Sequence, residues 1–352
     1  SFTEHLEVSP LCSHFESSDF PKKLLVLVGL PARGKTYTSK RLTRYLTWIG
    51  LKALFNVGDY RRKCQISNYE SHEFFNCHNE KALQIRNQAF ELALQDSIQW
   101  LKELSSSIAI LDATNSTRRR REKIMDECKA SEVEVLFIEL ICTDDDLVQK
   151  SILEVKITNP DYANMNEAES VKDFLSRIQH YKEIYEPISD PNLSYVKMIN
   201  RGEQFILNKI SDNISSRICY FIMNLRQLKR TIYVTRYAEQ LSEFFNALNL
   251  EDFVVWTSLL KRTKQTAKNI KGKKTQGWRI LNEIDSGHFD SMTYEEIQEK
   301  FPKEFARRQA NKYSYRYPMG ESYHDLINRI EPVMMALGNE KNALIVCHQA
   351  VA

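Results

Sequence analysis

No apolar run in this 352-residue chain approaches the roughly 18 residues that a membrane span needs. No signal-peptide pattern opens it. A membrane-embedded or secreted protein is therefore not expected. Charge of one sign is not in excess either: 49 Lys and Arg face 46 Asp and Glu, for a net charge of +3. That balance gives no bulk attraction to nucleic acid or lipid, so any basic site must be local. The seven cysteines are Cys12, Cys64, Cys77, Cys128, Cys142, Cys219 and Cys347. They are odd in number, irregularly spaced and lack a C-x-x-C pair, which argues against a disulfide framework or a zinc site. A reducing, cytoplasmic setting fits them. Internal repeats and low-complexity tracts are also missing.

What is there is ordinary globular composition, 42% hydrophobic and 27% charged. At about 100–200 residues per domain, the length predicts two domains. The chain opens on Ser1, as a processed or partial N-terminus would, and residues 1–21 read as a polar leader. Leu24–Val28, Leu51–Val57, Ser107–Leu111 and Val133–Cys142 read as strands. Between and after them, Thr36–Ile49, Glu80–Leu104, Arg118–Ser131, Asp144–Val155 and Ala168–Tyr185 have helical spacing. Strands alternating with helices predict an α/β domain over 22–228, a parallel sheet with helices on both faces. An irregular segment follows Glu186, then a helix over Ser211–Leu225 and a linker over Arg226–Arg230. The pattern restarts with strands at Thr231–Thr235, Val254–Trp256 and Ala343–Cys347, a second α/β domain over 229–352.

Gly29-Leu30-Pro31-Ala32-Arg33-Gly34-Lys35-Thr36 fits G-x-x-x-x-G-K-[ST] in full, with a strand before it and a helix after. Such a loop turns backbone N–H groups onto phosphate oxygens, and the helix N-terminus adds partial positive charge. Lys35 is expected to reach the β- and γ-phosphates of ATP, and Thr36 to ligate Mg²⁺. Asp112 ends an apolar strand, where a carboxylate either holds Mg²⁺ or orients an acceptor hydroxyl. Arg61, Arg62, Arg86 and the run Arg118–Arg121 offer guanidinium forks for a phosphorylated acceptor. Charge alone does not say which of them serve.

Further motifs carry a resemblance. They are Phe55-Asn-Val-Gly-Asp-Tyr-Arg-Arg62, Asp112-Ala-Thr-Asn115, Glu154-Val-Lys156 and Asn159-Pro-Asp-Tyr162. In the second half stand Val255-Trp-Thr-Ser258, Arg262-Thr263, Leu281-Asn-Glu-Ile-Asp285, Tyr315-Arg-Tyr-Pro318, Gly320-Glu-Ser-Tyr323 and Val346-Cys-His-Gln-Ala-Val351. With the P-loop, these are similar to the 6-phosphofructo-2-kinase/fructose-2,6-bisphosphatase family over roughly 22–352. The resemblance implies a P-loop kinase followed by a phosphoglycerate-mutase-like α/β domain. The kinase phosphorylates the 2-hydroxyl of fructose 6-phosphate, giving fructose 2,6-bisphosphate, and family members are typically homodimers. It implies Lys35, Asp112 and Cys142 as kinase active-site residues. Gly29–Tyr37, Ser151, Glu154 and Lys156 would lie around ATP. Arg61, Arg86, Thr114, Arg120, Lys156, Arg177 and Tyr181 would hold the sugar phosphate.

In the second domain the resemblance implies Arg236, Glu283, Tyr294, Arg308, Lys312, Tyr323 and Gln349 around fructose 2,6-bisphosphate. Glu283 would be the proton donor and His348 the second histidine. The family motif Arg-His-Gly-Glu supplies a nucleophilic histidine. Here the chain reads Thr235-Arg236-Tyr237-Ala238-Glu239. Either Tyr237 replaces the histidine, or the histidine loop is missing as a block between Arg236 and Tyr237. The helical spacing after Tyr237 favours the gap. More helix and strand are expected beyond Ala352. Two rival readings stand beside this one: another P-loop small-molecule or polynucleotide kinase, and a second domain that is a non-catalytic scaffold.

Overall fold

The structure is a computed structural model. It describes residues 22–49, 54–64, 71–103, 108–158, 166–225, 231–235, 241–248, 253–272 and 274–352. The expected leader, the Arg226–Arg230 linker and the Arg236–Tyr237 junction lie outside the described residues. The chain divides into two compact units between Leu225 and Arg226. No described helix is long and apolar enough to cross a membrane.

The first unit begins with β1 (Lys23–Val28), followed by α1 (Lys35–Trp48), β2 (Leu54–Asn56), α2 (Val57–Cys64), a 3₁₀ turn (His72–Phe75) and α3 (Glu80–Glu103). Then come β3 (Ile108–Asp112), α4 (Arg118–Ala130), β4 (Glu134–Ile141), α5 (Asp145–Thr158), α6 (Glu167–Glu183), β5 (Tyr195–Ile199), β6 (Gln204–Asn208) and α7 (Asn213–Met223). The sheet order is β2-β3-β1-β4-β5-β6. Each residue of β1 is buried, as a central parallel strand requires. Even Lys23 is buried, with its ammonium 2.7 Å from Asp212 and 3.0 Å from Glu134. Helix α1 buries Thr38, Leu42, Tyr45 and Leu46, one face of a 3.6-residue period.

Three expectations are corrected. The second strand is only Leu54–Asn56 among the described residues, because Val57 already begins α2. The supposedly irregular stretch after Glu186 holds the β5–β6 hairpin, turned by Asn200, Arg201 and Gly202, all at positive φ. Its second strand is antiparallel, so the sheet is mixed at one edge. Alternate residues of β5 are buried, a period-2 signal that was legible in Tyr195–Ile199.

The second unit runs β7 (Thr231–Thr235), α8 (Leu241–Ala247), β8 (Phe253–Thr257), α9 (Lys261–Ala267), β9 (Lys274–Gly277), α10 (Tyr294–Lys300), α11 (Pro302–Ala310), α12 (Tyr323–Leu337) and β10 (Asn342–Val346). Its parallel sheet has the order β7-β10-β8-β9. The short, polar β9 was not expected from the sequence. Helices α10 and α12 start with full capping boxes, Thr293 with Glu296 and Ser322 with Asp325.

Candidate active site

The P-loop leaves β1 between β3 on one side and β4 on the other. It is thus at the carboxyl edge of the parallel strands, where open α/β sheets bind ligands. Gly29, Ala32 and Gly34 take φ values of 140°, 57° and 84°. At Gly29 a side chain is excluded twice over: a Cβ would stand 2.5 Å from the Leu140 carbonyl oxygen. The Gly29 amide donates to the Thr114 carbonyl at 3.0 Å, and the Asn115 side chain donates to Leu27 O at 2.8 Å. The β3–α4 loop is therefore tied to the start of the P-loop and to the end of β1.

Lys35 is buried and donates to the Leu30 carbonyl at 2.7 Å. Burial drives its pKa down to about 7, with nearby Asp112 opposing and the Arg177 and Arg33 cations reinforcing the fall. Asp112, on β3, is raised above the usual carboxylate range by burial. Lys35 and the Thr36 and Ser39 hydroxyls oppose that rise. Its Oδ2 accepts from Ser39 Oγ and from Asn56 Nδ2, each at 3.1 Å. Ser39 and Asn56 were not singled out from the sequence. Both are small polar residues on other elements, joined to Asp112 only by the fold.

On the β4 side, Cys142 lines a small cleft with Ala32, Arg33, Leu140, Ser151, Met198 and Arg201. Arg201 donates to Ser151 Oγ at 2.6 Å. The side chains of Glu154 and Lys156 lie outside the described residues. Cys142 and Asp112 thus flank the P-loop from opposite sides.

Three of the predicted cations, Arg61, Arg86 and Arg177, converge on the 3₁₀ turn. The Arg177 guanidinium lies 3.8 Å from the Phe75 ring centroid, and that of Arg61 lies 5.5 Å away. Arg86 donates to the Phe75 and Asn76 carbonyls at 3.2 and 3.1 Å. The Tyr181 ring is 5.7 Å from that of Phe75. Arg120 covers Phe90 at 4.5 Å and donates to Asn87 at 2.7 Å. Its pKa is lowered by burial and by Arg86, against the pull of Tyr181. Within the arginine run, helix phase decides: Arg121 turns inward to the Asn115 carbonyl at 3.1 Å, while Arg118 pairs with Glu122 at the surface. The phenylalanine platform had no local signal in the sequence.

In the second unit, His348 follows β10 and is buried. Arg262 Nε donates to its Nδ1 at 3.1 Å, which leaves the proton on Nε2, 2.8 Å from Ser258 Oγ. Burial and Arg262 lower its pKa. Glu283 Oε1 accepts from the Ala350 amide at 3.2 Å. Buried Arg308 donates to Tyr317 and Tyr294, each at 2.8 Å. Lys312 lies 5.4 Å from the Tyr323 ring, whereas Gln349 is exposed. Ser258, Arg262 and Tyr317 join the expected set; Arg236 lies outside the described residues.

Comparison with known proteins agrees with this arrangement. The 6-phosphofructo-2-kinase family matches residues 12–229, and the histidine phosphatase superfamily (branch 1) matches 235–352. The protein named 6-phosphofructo-2-kinase/fructose-2,6-bisphosphatase 3 from Rattus norvegicus is 44% identical, over 93% of this chain and 64% of its own length. The form named 4 from Macaca fascicularis is 43% identical, over 93% of this chain and 76% of its own. This chain therefore spans somewhat under two thirds of the rat relative. That alignment runs over 357 positions although this chain has 352 residues, so the relative carries positions that are absent here. The polynucleotide-kinase alternative finds no support in these matches. With both family matches in order along one chain and the P-loop, arginine and histidine clusters on the units they predict, this chain belongs to the 6-phosphofructo-2-kinase/fructose-2,6-bisphosphatase family.

Proposed function

We propose that the first unit transfers the γ-phosphoryl group of ATP to the 2-hydroxyl of fructose 6-phosphate. The observation that carries this reading is the convergence of Arg61, Arg86 and Arg177 on the Phe75 turn, with Arg177 close enough to Lys35 to depress its pKa. Cations so arranged suit two anions brought together, a nucleotide triphosphate and a sugar phosphate. Backbone amides of Ala32–Gly34 cradle the β- and γ-phosphates, and Lys35 follows the migrating group. The Thr36 hydroxyl and the Asp112 carboxylate are adjacent hard oxygen donors, a set that fits Mg²⁺. Bound there, the ion would neutralise charge on the phosphate oxygens. The remaining work is positioning: Arg61, Arg86, Arg120 and Arg177 hold the sugar phosphate so that its 2-hydroxyl lies in line with the γ-phosphorus.

The second unit is proposed to hold fructose 2,6-bisphosphate residues without completing hydrolysis. Neither histidine route is open: the sequence after Arg236 has no His-Gly-Glu, and both ring nitrogens of His348 are engaged. A cytoplasmic setting suits the described cysteines, which are all free thiols. A homodimer is proposed along β6, one edge of the first sheet, where Ile206 and Leu207 are exposed. Leu207→Lys should leave a monomer by light scattering; an unchanged mass would refute that edge.

The function is tested by supplying the purified chain with ATP and a panel of acceptors. Fructose 6-phosphate should accept, while fructose and a 5′-hydroxyl oligonucleotide should not, and product should accumulate without release of inorganic phosphate. Transfer to the oligonucleotide would sink the kinase reading; release of phosphate from product would sink the silent second unit. Arg120→Ala should raise KM for fructose 6-phosphate on the order of 10- to 100-fold and leave KM for ATP near its original value, the loss of one charge-assisted contact.

A further inference from the structure

Helix α6 presents Asp173, Arg177, His180 and Tyr181 along one stripe, the i, i+4, i+7, i+8 spacing of a single face. The 3₁₀ turn His72–Phe75 packs on that stripe. Phe75 meets Arg177 and Tyr181, as described above. At its other end the turn brings His72 and Glu73 to His180. The His72 Nδ1 and His180 Nε2 atoms are 3.0 Å apart. Glu73 Oε1 lies 3.5 Å from the first and 3.9 Å from the second. These three potential ligand atoms all fall within 4.8 Å of one another.

Those separations, 3.0 to 3.9 Å, bracket what a tetrahedral ion demands. Zinc–nitrogen and zinc–oxygen bonds of about 2.0–2.2 Å at tetrahedral angles put neighbouring ligand atoms roughly 3.3–3.5 Å apart. Each ligand is also held from behind. The His72 amide donates to Asp173 Oδ1 at 2.6 Å, which fixes the turn to α6 two helical turns before His180. The other carboxylate oxygen of Glu73 accepts from Asn76 Nδ2 at 3.0 Å, which aims Oε1 at the imidazoles. Outer groups of this kind are what orient metal ligands. All three residues are partly exposed, so an ion has a way in.

We propose that His72, Glu73 and His180 form a binding site for one divalent zinc ion, with water as the fourth ligand. The site is separate from the Thr36 and Asp112 oxygens and differs from them in kind, since two imidazoles select a borderline d-block ion over Mg²⁺. Without metal, one imidazole donates its proton to the other across the 3.0 Å contact. On binding, that imidazole moves its proton to its other ring nitrogen, and both facing lone pairs go to the ion. Zinc then staples the 72–75 turn, which carries Phe75, to α6, which carries Arg177.

The test uses the full chain stripped with chelator, then titrated with Co²⁺ or Zn²⁺ alone in excess Mg²⁺. The parent chain should take up one Co²⁺ with a tetrahedral visible spectrum and no thiolate charge-transfer band, and Zn²⁺ should displace it. His72→Gln and His180→Gln should each weaken binding about 100-fold or more, and Asn76→Ala about 10-fold. Thermal melts check that these variants fold. His180→Cys should retain the ion and introduce a thiolate band, which places that position on the metal. Failure of the parent chain to bind micromolar metal overturns the proposal. So does uptake that persists unchanged in both glutamine variants. No nucleotide or sugar enters this experiment, so its outcome is independent of the kinase reading.

Discussion

Lys35→Met should abolish phosphoryl transfer, a fall of about 1,000-fold or more in kcat, while leaving circular dichroism and melting close to those of the parent chain. The size follows from what Lys35 is placed to do. Charge that builds on a transferring phosphoryl group inside a dry site is stabilised far more by a fixed cation than it would be in water. Methionine keeps the buried stem and removes only the ammonium. The fold should tolerate this because Lys35 is an electrostatic burden before ligand arrives: burial lowers its pKa to about 7. The sign matters for stability. A lysine with a depressed folded pKa leaves the unfolded chain holding the extra proton between about 7 and 10.5, so its contribution to stability improves as pH rises through that window. Arriving phosphates reverse the depression by supplying negative charge. Nucleotide binding at pH 8 should therefore draw in a proton, up to roughly 0.9 per site for a group that starts near 7. Calorimetry in buffers of different ionisation heat reads this uptake directly. A Lys35→Met chain that still makes fructose 2,6-bisphosphate at a normal rate would refute the role. Equal proton uptake by both chains would refute the electrostatic account.

The P-loop was legible because all its information is local. Eight consecutive residues, a strand before and a helix after suffice to place backbone amides on a phosphate. The position of Asp112 was legible for a similar reason, an apolar strand that ends in one carboxylate. The arginine cluster was only half legible. Arg61, Arg86 and Arg177 come from three elements, and the surface that gathers them is Phe75, on a turn with no periodicity. Nothing in a run of four arginines says which point inward until the phase of α4 is set. Buried Lys23 was invisible too: its partners Glu134 and Asp212 are more than a hundred residues away. In the second unit, the order of the motifs told the fold. The state of His348 did not follow from it, because Arg262 and Ser258 decide the tautomer only once α9 and the end of β8 are in place.

Gly287→Ala should selectively loosen the second unit. Gly287 sits at φ 52°, and an alanine Cβ there would collide with the Pro318 carbonyl oxygen and stand 2.7 Å from the Gly320 amide nitrogen. Both are backbone atoms, so neither can swing away. The loop cannot give as a whole, because it is bolted down across its length. His288 N donates to Pro318 O at 2.9 Å, Glu321 N donates to Asp285 O at 2.8 Å, and the Asp285 amide donates to Glu321 at 3.0 Å. Arg329 then pairs with Glu321 at 2.8 Å and donates to the Asn282 carbonyl at 3.2 Å. Left-handed backbone costs about 1–2 kcal/mol for a residue with a Cβ. Overpacking against fixed atoms adds about 1–3 kcal/mol. A total of about 2–5 kcal/mol corresponds to roughly 30-fold or greater loss of amide protection. Hydrogen exchange read by mass spectrometry should show that loss in peptides from β8 and β10, with β1 and β3 unchanged and kinase turnover retained. The same loop carries Glu283, whose carboxylate meets the Ala350 amide. The substitution should therefore also free the segment after His348 to exchange. Unaltered protection in β10 would show that the 285–288 and 318–321 loops yield where their backbone contacts say they cannot.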